Sequence, residues 1–565
     1  MTKNKKQQGG PVQLAALVLF ALVLDALFFR NIITNDSLIG SNGDARYIDL
    51  ILEHYYRWLQ GREKFTDLSC FYPVTNTISY SDMLLALAVP FCILRAMGAS
   101  MFMANKWGLI GLHLLGTLSS VYFFDRKMKL RPSATIMGTI IFCYANSLSV
   151  KSWHNQMLAV CLYPLMFILL WDFFTNIDGL RRKRIPAGLG AIAVLALVFY
   201  TSFYNAYFML IYAFFTLLVY CIALKRRKAK VWAPVWGFIK KNPLELILYI
   251  VFGIGIMVPF IMIYLPTLLS SGGWDWDPVH SMLPTWRDFF NVGPFNIVYG
   301  AFMEGPFFRI EGFYAGELRT GFPLITLTLF VIAALWLRSK APEKLPKRPR
   351  SADYTDLLFC AAAAAVFCCF AVMIKVHGHS FWYWIYKYLP GASGIRAVSR
   401  FNMFLTLPVG IVTAVFVDRF VPVLRIERNK KTALIAALSL WLVAENTLTC
   451  GTRSLWAIHE AVELTNTAAA PPADCKVMFI VDSGETRSFD NDKDYQLAAW
   501  EVAYKYNIPC INGHSGQFPQ GWHHMSPFHG NENYMKAMSE WIEKYKLTNV
   551  YAYDIADNSW EKYSE

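Results

Sequence analysis

The sequence predicts an α-helical polytopic membrane protein of about eleven spans with a small extracytoplasmic C-terminal α/β domain. Three observations carry that expectation. The chain holds many apolar runs close to the roughly 20 residues a helix needs to cross a bilayer. Only 16% of its 565 residues are charged while 55% are hydrophobic, against about a quarter charged in soluble domains. Finally, one threading places every internal basic cluster on a single side. The short alternating segments of a membrane β-barrel are absent.

The first apolar run, Pro11 to Ile33, is long and lacks a small-residue cleavage site, so it reads as a retained signal-anchor helix. With Lys3, Lys5 and Lys6 in the cytoplasm, that helix exits to the outside. Further runs lie at 83–94, 105–124, 133–150, 156–176, 186–203, 204–224, 244–268, 321–338, 355–375, 402–424 and 432–450. If 83–94 crossed, each later basic cluster would fall outside. It is short, ends at Arg95, and reads as an interfacial or re-entrant helix. Without it, Arg126–Arg131, Arg181–Arg184, Lys225–Lys230, Lys340–Arg350 and Arg425–Lys431 all lie inside. The net charge of +13 therefore reads as loop charge of a plasma-membrane protein, with no nucleic-acid partner. The 11 cysteines lack CxxC spacing and read as packing residues, among them Cys143, Cys161 and the pair Cys368 and Cys369.

Residues 1–450 thus form a transmembrane domain with outer loops at 35–104, 269–320 and 376–401, and a short outer turn at Lys151–Asn155. Residues 451–472 read as a linker that ends in a Thr/Ala/Pro stretch. Residues 473–565 read as an extracytoplasmic domain. Strands are expected at Lys476–Val481, Ile508–Ile511 and Asn549–Tyr553, with helices at Asp494–Asn507 and Glu532–Lys546, a pattern that implies a parallel sheet.

The first outer loop opens Gly43-Asp44-Ala-Arg46-Tyr47-Ile-Asp49 and continues as an amphipathic helix with Ile48, Ile51, Leu52, Tyr55 and Leu59 on one face. A carboxylate at the membrane face accepts a proton from a substrate hydroxyl when held within hydrogen-bond reach. By residue type alone, Asp44 reads more simply as the cap of a helix starting at Ala45. Asp82, after Phe71-Tyr-Pro73 and beside Ser81, also fits a cap. His154 stands beside Trp153 in the turn between two spans, able to donate to a phosphate or to serve only as an interfacial polar residue. The large loop mixes Trp274, Asp275, Trp276 and Asp277 with Glu304, Arg309, Glu311, Glu317 and Arg319. That composition suits sugar binding, and equally a membrane-interface belt. His377 and His379 form half a metal site without a third ligand. In Gly391-Ala-Ser-Gly394-Ile-Arg396-Ala-Val-Ser-Arg400-Phe401, two arginines stand on the outer side, where topology does not call for them. Arginine suits bidentate phosphate recognition, and at four residues apart the pair is expected to share a helical face. Snorkelling to lipid headgroups accounts for them equally well.

Taken together, these residues resemble the GT-C superfamily of polytopic glycosyltransferases, which use polyprenyl-phosphate sugars. The likeness rests on Gly43-Asp44, on Phe71-Tyr-Pro73 through Ser81-Asp82 before a non-crossing helix, on His154, and on Gly394-Ile-Arg396 through Arg400-Phe401. The tail's Ile508-Pro-Cys-Ile-Asn512-Gly-His-Ser-Gly516-Gln-Phe-Pro519 looks like a segment of uncharacterised bacterial members. Acidic pairs in such enzymes are often adjacent, whereas Asp44 has no acidic neighbour. The resemblance implies inverting transfer, with Asp44 taking the acceptor's proton while Arg396 and Arg400 neutralise the departing lipid phosphate. It makes Arg46, Asp49, Asp82 and His154 further substrate-binding candidates. The donor substrate would be a polyprenyl-phosphate sugar in contact with membrane lipids and the acceptor a glycan, lipid or protein, with metal dependence left open. Two rivals stand beside it. A lipid flippase is expected to show inverted repeats or Gly/Pro-broken spans with midplane charge. Asp25 in the first span, with Arg30, is the clearest intramembrane acid, and pairing with a neighbouring span is its simpler reading. A non-catalytic glycolipid-binding protein would use the tail domain.

Overall fold

The structure is a computed structural model that describes residues 10–40, 42–152, 154–229, 231–308, 315–343, 351–448, 455–458, 466–522, 525–528 and 531–564. Lys3, Lys5, Lys6, Trp153, Arg309, Glu311, the end of the Lys340–Arg350 cluster and most of the expected linker up to Thr465 lie outside the described residues. The chain is a helical polytopic membrane protein with a small C-terminal sheet domain. Nine helices among the described residues are long and apolar enough to cross a membrane. The other two expected spans are also helices, but poorer ones. Leu324–Lys340 has 17 residues, about 26 Å at 1.5 Å per residue, short of the roughly 30 Å hydrocarbon core. Arg428–Leu442 begins with three cations and runs into a π-helical turn, Val443–Thr447, that carries the buried Glu445.

Helices Pro132–Cys143 and Phe401–Phe420 form the centre of the bundle, with nearly all of their residues buried. They touch backbone to backbone: a Cβ on Gly410 would come within 2.9 Å of the Gly138 carbonyl oxygen, the close approach that small residues permit between membrane helices. Helix Pro243–Ser271 stands at the periphery with four buried residues along its length. Asp25 is buried and laterally pinned. Its Oδ1 accepts from Tyr144 Oη at 2.7 Å and lies 3.1 Å from His113 Nδ1, so the best acid of the flippase reading is tied to neighbouring helices.

The helix ends fall into two sets. One end gathers ion pairs from the basic clusters, Lys127–Asp172 at 2.6 Å, Arg184–Glu245 at 2.7 Å and Arg131–Asp418 at 3.4 Å. The opposite end carries the first loop, the His154 turn and the Arg396–Arg400 segment. Helix Leu85–Ala96, with Pro90 inside it, has 12 residues and belongs with the shorter apolar helices.

Beyond the bundle, strand β1 (Ser37–Ile39), just after the first span, pairs antiparallel with β2 (Leu455–Ala457), which follows the last expected span in the chain. In the tail domain β3 (Val477–Val481) runs parallel to β4 (Val550–Asp554), and β5 (Ser559–Ser564) is antiparallel to β4. Helices Asp492–Tyr506 and Glu532–Tyr545 match the two expected ones. Strand β5 was not anticipated, because its charged, exposed residues give no apolar alternation. The expected strand at Ile508–Ile511 is only a bridge at Cys510, since Pro509 has no N–H and the remaining bonds go elsewhere. Cys510 N–H donates to Ser69 O at 2.9 Å, and Tyr72 N–H donates to Cys510 O at 3.0 Å, so this segment joins the tail to the first loop.

Candidate active site

Helix Asn42–Leu59 crosses the bundle's loop-bearing end. Ile48, Ile51, Leu52 and Tyr55 are buried on one face as expected, while Leu59, at the helix end, is exposed. Asp44 is the third residue of this helix, not the residue before it. Its carboxylate faces His154 of the bundle and Lys493 and His514 of the tail. Lys493 Nζ lies 3.5 Å from Asp44 Oδ1. Burial pushes the Asp44 carboxyl up, but the positive field of His154, Lys493 and His514 outweighs it and leaves the group below the ordinary 3.8.

The Arg396–Arg400 segment is not one helical face. It consists of two short 3-10 turns, Ala392–Gly394 and Val398–Arg400, ahead of helix Phe401–Phe420, and the two guanidiniums part. Arg396 lies over the Trp274 ring at 4.2 Å, and its backbone N–H donates to Tyr204 Oη at 2.7 Å. Arg400 sits 5.6 Å from the same Tyr204 ring. It donates from Nε and Nη2 to the Glu317 carboxylate at 3.0 and 2.9 Å, and from Nη2 to His154 Nε2 at 2.9 Å. The same Nε2 lies 3.4 Å from Glu317 Oε1, so Arg400 and Glu317 share one ring nitrogen of His154. Burial and the Arg400 charge hold the ring below its usual range, against Glu317 and Asp44.

Lys151 completes this cluster. Its buried ammonium lies 3.0 Å from Glu317 Oε2 and donates to Gly316 O at 2.8 Å. Burial brings Lys151 down to about 8, with Glu317 opposing and Arg400 assisting. Glu317 itself, despite burial, is held well below the carboxylate range by Arg400 and Lys151. Arg400, Lys151 and His154 thus converge on one carboxylate, Glu317, each within 3.4 Å of its oxygens.

Asp82 is not the cap of the helix that follows it; Leu84, in a left-handed conformation, takes that place. The Asp82 Oδ1 instead accepts the Phe203 N–H at 3.1 Å, at the start of helix Phe203–Arg226, where the helix dipole favours an anion. Burial still raises Asp82 to about 6, with Phe203, Arg400 and Gln156 working the other way. Two other sequence candidates turn away from this centre. Arg46 is buried in a two-point pair with Glu501 of the tail, at 2.8 and 2.6 Å. Asp49 is fully buried, accepting from Asn105 Nδ2 at 2.7 Å, and burial raises its carboxyl well above the ordinary value. His377 and His379 lie in a tight turn closed by the Val376–His379 bridge, and no group of three metal-ligand side chains lies together among the described residues.

Sequence reasoning passed over Lys151, Tyr204 and Lys493 as site residues, and read Glu317 only as loop composition. Lys151 carried a usable signal, being a cation on the side that the charge rule leaves poor in cations. For Lys493 the partner could not be read, because it is 449 positions away.

No protein-family model matches the sequence, and no curated protein matches it. Solved structures do. The apo oligosaccharyltransferase of Archaeoglobus fulgidus superposes with a TM-score of 0.50 at 10% identity, over 95% of this chain and 69% of that one. The mycobacterial arabinofuranosyltransferase AftD gives 0.47 at 11% identity, over 90% of this chain and 32% of that one. ArnT from Cupriavidus metallidurans, bound to undecaprenyl phosphate, gives 0.47 at 11% identity, over 96% of this chain and 93% of that one. At such identities the likeness speaks for architecture: the chain has the fold of the oligosaccharyltransferase, and the resemblance to GT-C proteins read from the sequence holds at that level.

Proposed function

We propose that this protein is a membrane glycosyltransferase that moves a sugar from a polyprenyl-phosphate donor to an extracytoplasmic acceptor with inversion. The observation that supports it most is a partly exposed carboxylate, Asp44, in the electrostatic field of His154, whose Nε2 in turn lies 2.9 Å from Arg400 of the Arg400–Lys151 cation cluster. The two halves match the charges of the reaction. Asp44 accepts the proton of the acceptor hydroxyl as its oxygen bonds to the sugar's anomeric carbon. The anomeric carbon's bond to the phosphate oxygen breaks, and its electron pair leaves with the lipid phosphate. Arg400 and Lys151 neutralise that charge, with the Arg396 guanidinium over Trp274 at the entrance. The donor's tail lies among the apolar helices of the bundle, and the tail domain stands on the extracytoplasmic side.

A second reading of the base has one observation in its favour. Burial lifts Asp82 to about 6, nearer to neutrality than Asp44, and a base works best near the operating pH. The function is tested with purified protein in liposomes holding radiolabelled polyprenyl-phosphate sugars and an extracted cell-envelope acceptor. Transfer with release of polyprenyl phosphate is expected. A wild-type protein that binds these lipids and consumes none would be a binding protein.

A further inference from the structure

Helices Asn42–Leu59 and Asp492–Tyr506 are joined by a series of polar rungs. Arg57 Nη1 donates to Tyr504 O at 3.2 Å and Nη2 to Asn507 Oδ1 at 2.5 Å. Arg46 pairs with Glu501, both nearly inaccessible to solvent. Tyr504 Oη donates to Leu50 O at 3.2 Å. A further rung differs in kind: Lys493 reaches Asp44 at 3.5 Å, with both side chains partly exposed. Lys493 is also an odd choice for its place. It lies in the first turn of its helix, where the dipole disfavours a cation.

What lets it reach is Gly43. A Cβ built there would overlap Cε and Nζ of Lys493, so the end of the lysine lies across the glycine's bare face. Gly43 is within the helix and has no left-handed backbone to justify a glycine. The missing side chain is needed for the lysine.

We propose that Lys493, supplied by the tail domain, is a positioning residue that masks Asp44 by laying its ammonium across Gly43, so that the acceptor must displace it to reach the carboxylate. The functional half of this statement rests on the glycosyltransferase reading, while the electrostatic half stands without it. An ammonium at this distance weakens Asp44 as a base. His154 and His514 also face Asp44, but Lys493 is the one of the three that a swing of a long, partly exposed side chain takes away. The tail domain thereby controls what comes within reach of Asp44, and the part of its basicity that Lys493 suppresses returns when an acceptor has moved the lysine aside, His154 and His514 staying in place.

The test needs no substrate. Full-length protein in nanodiscs is treated with a water-soluble carbodiimide and a mass-tagged amine across a pH series, and labelling of the Asp44 peptide is followed by mass spectrometry. The exposed Glu427 serves as internal reference. Carbodiimides react with the protonated acid, so the midpoint of the profile reports when Asp44 takes up its proton. In Lys493→Gln that midpoint is expected to rise by about one pH unit relative to Glu427, the scale of losing one nearby opposite charge. Gly43→Ala is expected to do the same by pushing the lysine end aside, and the double variant to add nothing further. Lys493→Arg is expected to stay close to wild type. Unchanged midpoints in both Lys493→Gln and Gly43→Ala would overturn the proposal. Loss of tail docking alone would not imitate the expected pattern, because Gly43→Ala leaves the Arg46–Glu501 rung intact. Failure to find any sugar transfer would count against the glycosyltransferase reading and leave these midpoints where they are.

Discussion

Glu317 holds Arg400 at two points, with Oε2 on Nε at 3.0 Å and Oε1 on Nη2 at 2.9 Å, and the same carboxylate lies 3.0 Å from Lys151. A carboxylate set against a guanidinium fork has the geometry that a phosphate would take. On the proposed reading, Glu317 balances the cations while the site is empty and shares them with the donor's phosphate when it fills.

Glu317→Gln keeps the shape and removes the charge, leaving two buried cations without their anion. Removing one partner of a buried pair typically costs about 3–5 kcal/mol, so a marked fall in thermal stability is expected. Undecaprenyl phosphate is expected to restore more of the midpoint in Glu317→Gln than it adds to wild type. Equal shifts in the two proteins, read by thermal unfolding in detergent, would place the phosphate elsewhere.

The acid side of the stability profile separates Glu317 from Asp82. The Glu317 carboxyl is held below its ordinary 4.5 by Arg400 and Lys151 against burial, so the folded state binds its proton less tightly than the unfolded chain. Its contribution is full above that ordinary value and is lost as pH falls through the folded one. Asp82 has the opposite sign. Burial raises it from 3.8 to about 6, so its contribution is greatest at acid pH and is lost as pH rises through about 6. Wild type minus Glu317→Gln should therefore narrow on acidification below pH 5, while Asp82→Asn minus wild type should widen from pH 4 to pH 7. Thermal midpoints from about pH 2.5 to about pH 7 check both signs.

Arg46 is expected to matter for docking and not for chemistry. Arg46→Met strands Glu501 in a buried setting, at a cost of about 3–5 kcal/mol. Arg46→Met combined with Glu501→Met is expected to recover most of the loss, because two apolar residues of similar length replace the pair. A double variant no more stable than the single one would show that Arg46 has a further partner that matters.

Sidedness is checked with single cysteines at Glu427 and Lys536, both well exposed. The threading that gathers the basic clusters predicts Glu427→Cys in the cytoplasm and Lys536→Cys outside. A membrane-impermeant thiol reagent added to intact cells should label Lys536→Cys alone. Labelling of both from one side would refute the threading.

The bundle was legible in the sequence because bilayer thickness turns hydrophobic length directly into helices, and because Arg95 betrays the short run before it. The weak spans were less so. In Arg428–Leu442 and its π turn, the cations at one end and Glu445 at the other dilute an apolar run that looks continuous on average. Within the site, Asp44, His154 and Arg400 were found as polar residues at the ends of apolar runs, a local signal. Their partners were harder. Glu317 looked like one carboxylate among several in an aromatic loop, and only the fold sets it on Arg400. Asp82 looked like a cap for the next helix, yet it caps one that begins 121 residues later. Lys493 lies in the tail, and its one local oddity, a cation in the first turn of a helix, does not point to Asp44.

The last prediction separates the two candidate bases. Asp44→Asn keeps its place in the first turn and cannot take a proton at neutral pH. If Asp44 is the base, this variant should fold, bind undecaprenyl phosphate as wild type does, and lose about a hundred- to ten-thousand-fold in turnover. Asp82→Asn should then stay active, since an amide oxygen still accepts the Phe203 N–H that Asp82 holds at 3.1 Å. If Asp82 is the base, the losses exchange places. The pH profiles sharpen the choice. Ionisation of Asp82 at about 6 would put an acid limb near that pH in kcat/KM, whereas Asp44, held below 3.8 by His154, Lys493 and His514 against burial, puts its limb below the usual carboxylate range. An acid limb near 6 that disappears in Asp82→Asn, with Asp44→Asn retaining more than about a tenth of wild-type turnover, would move the base from the first turn of the loop helix to the start of the helix at Phe203.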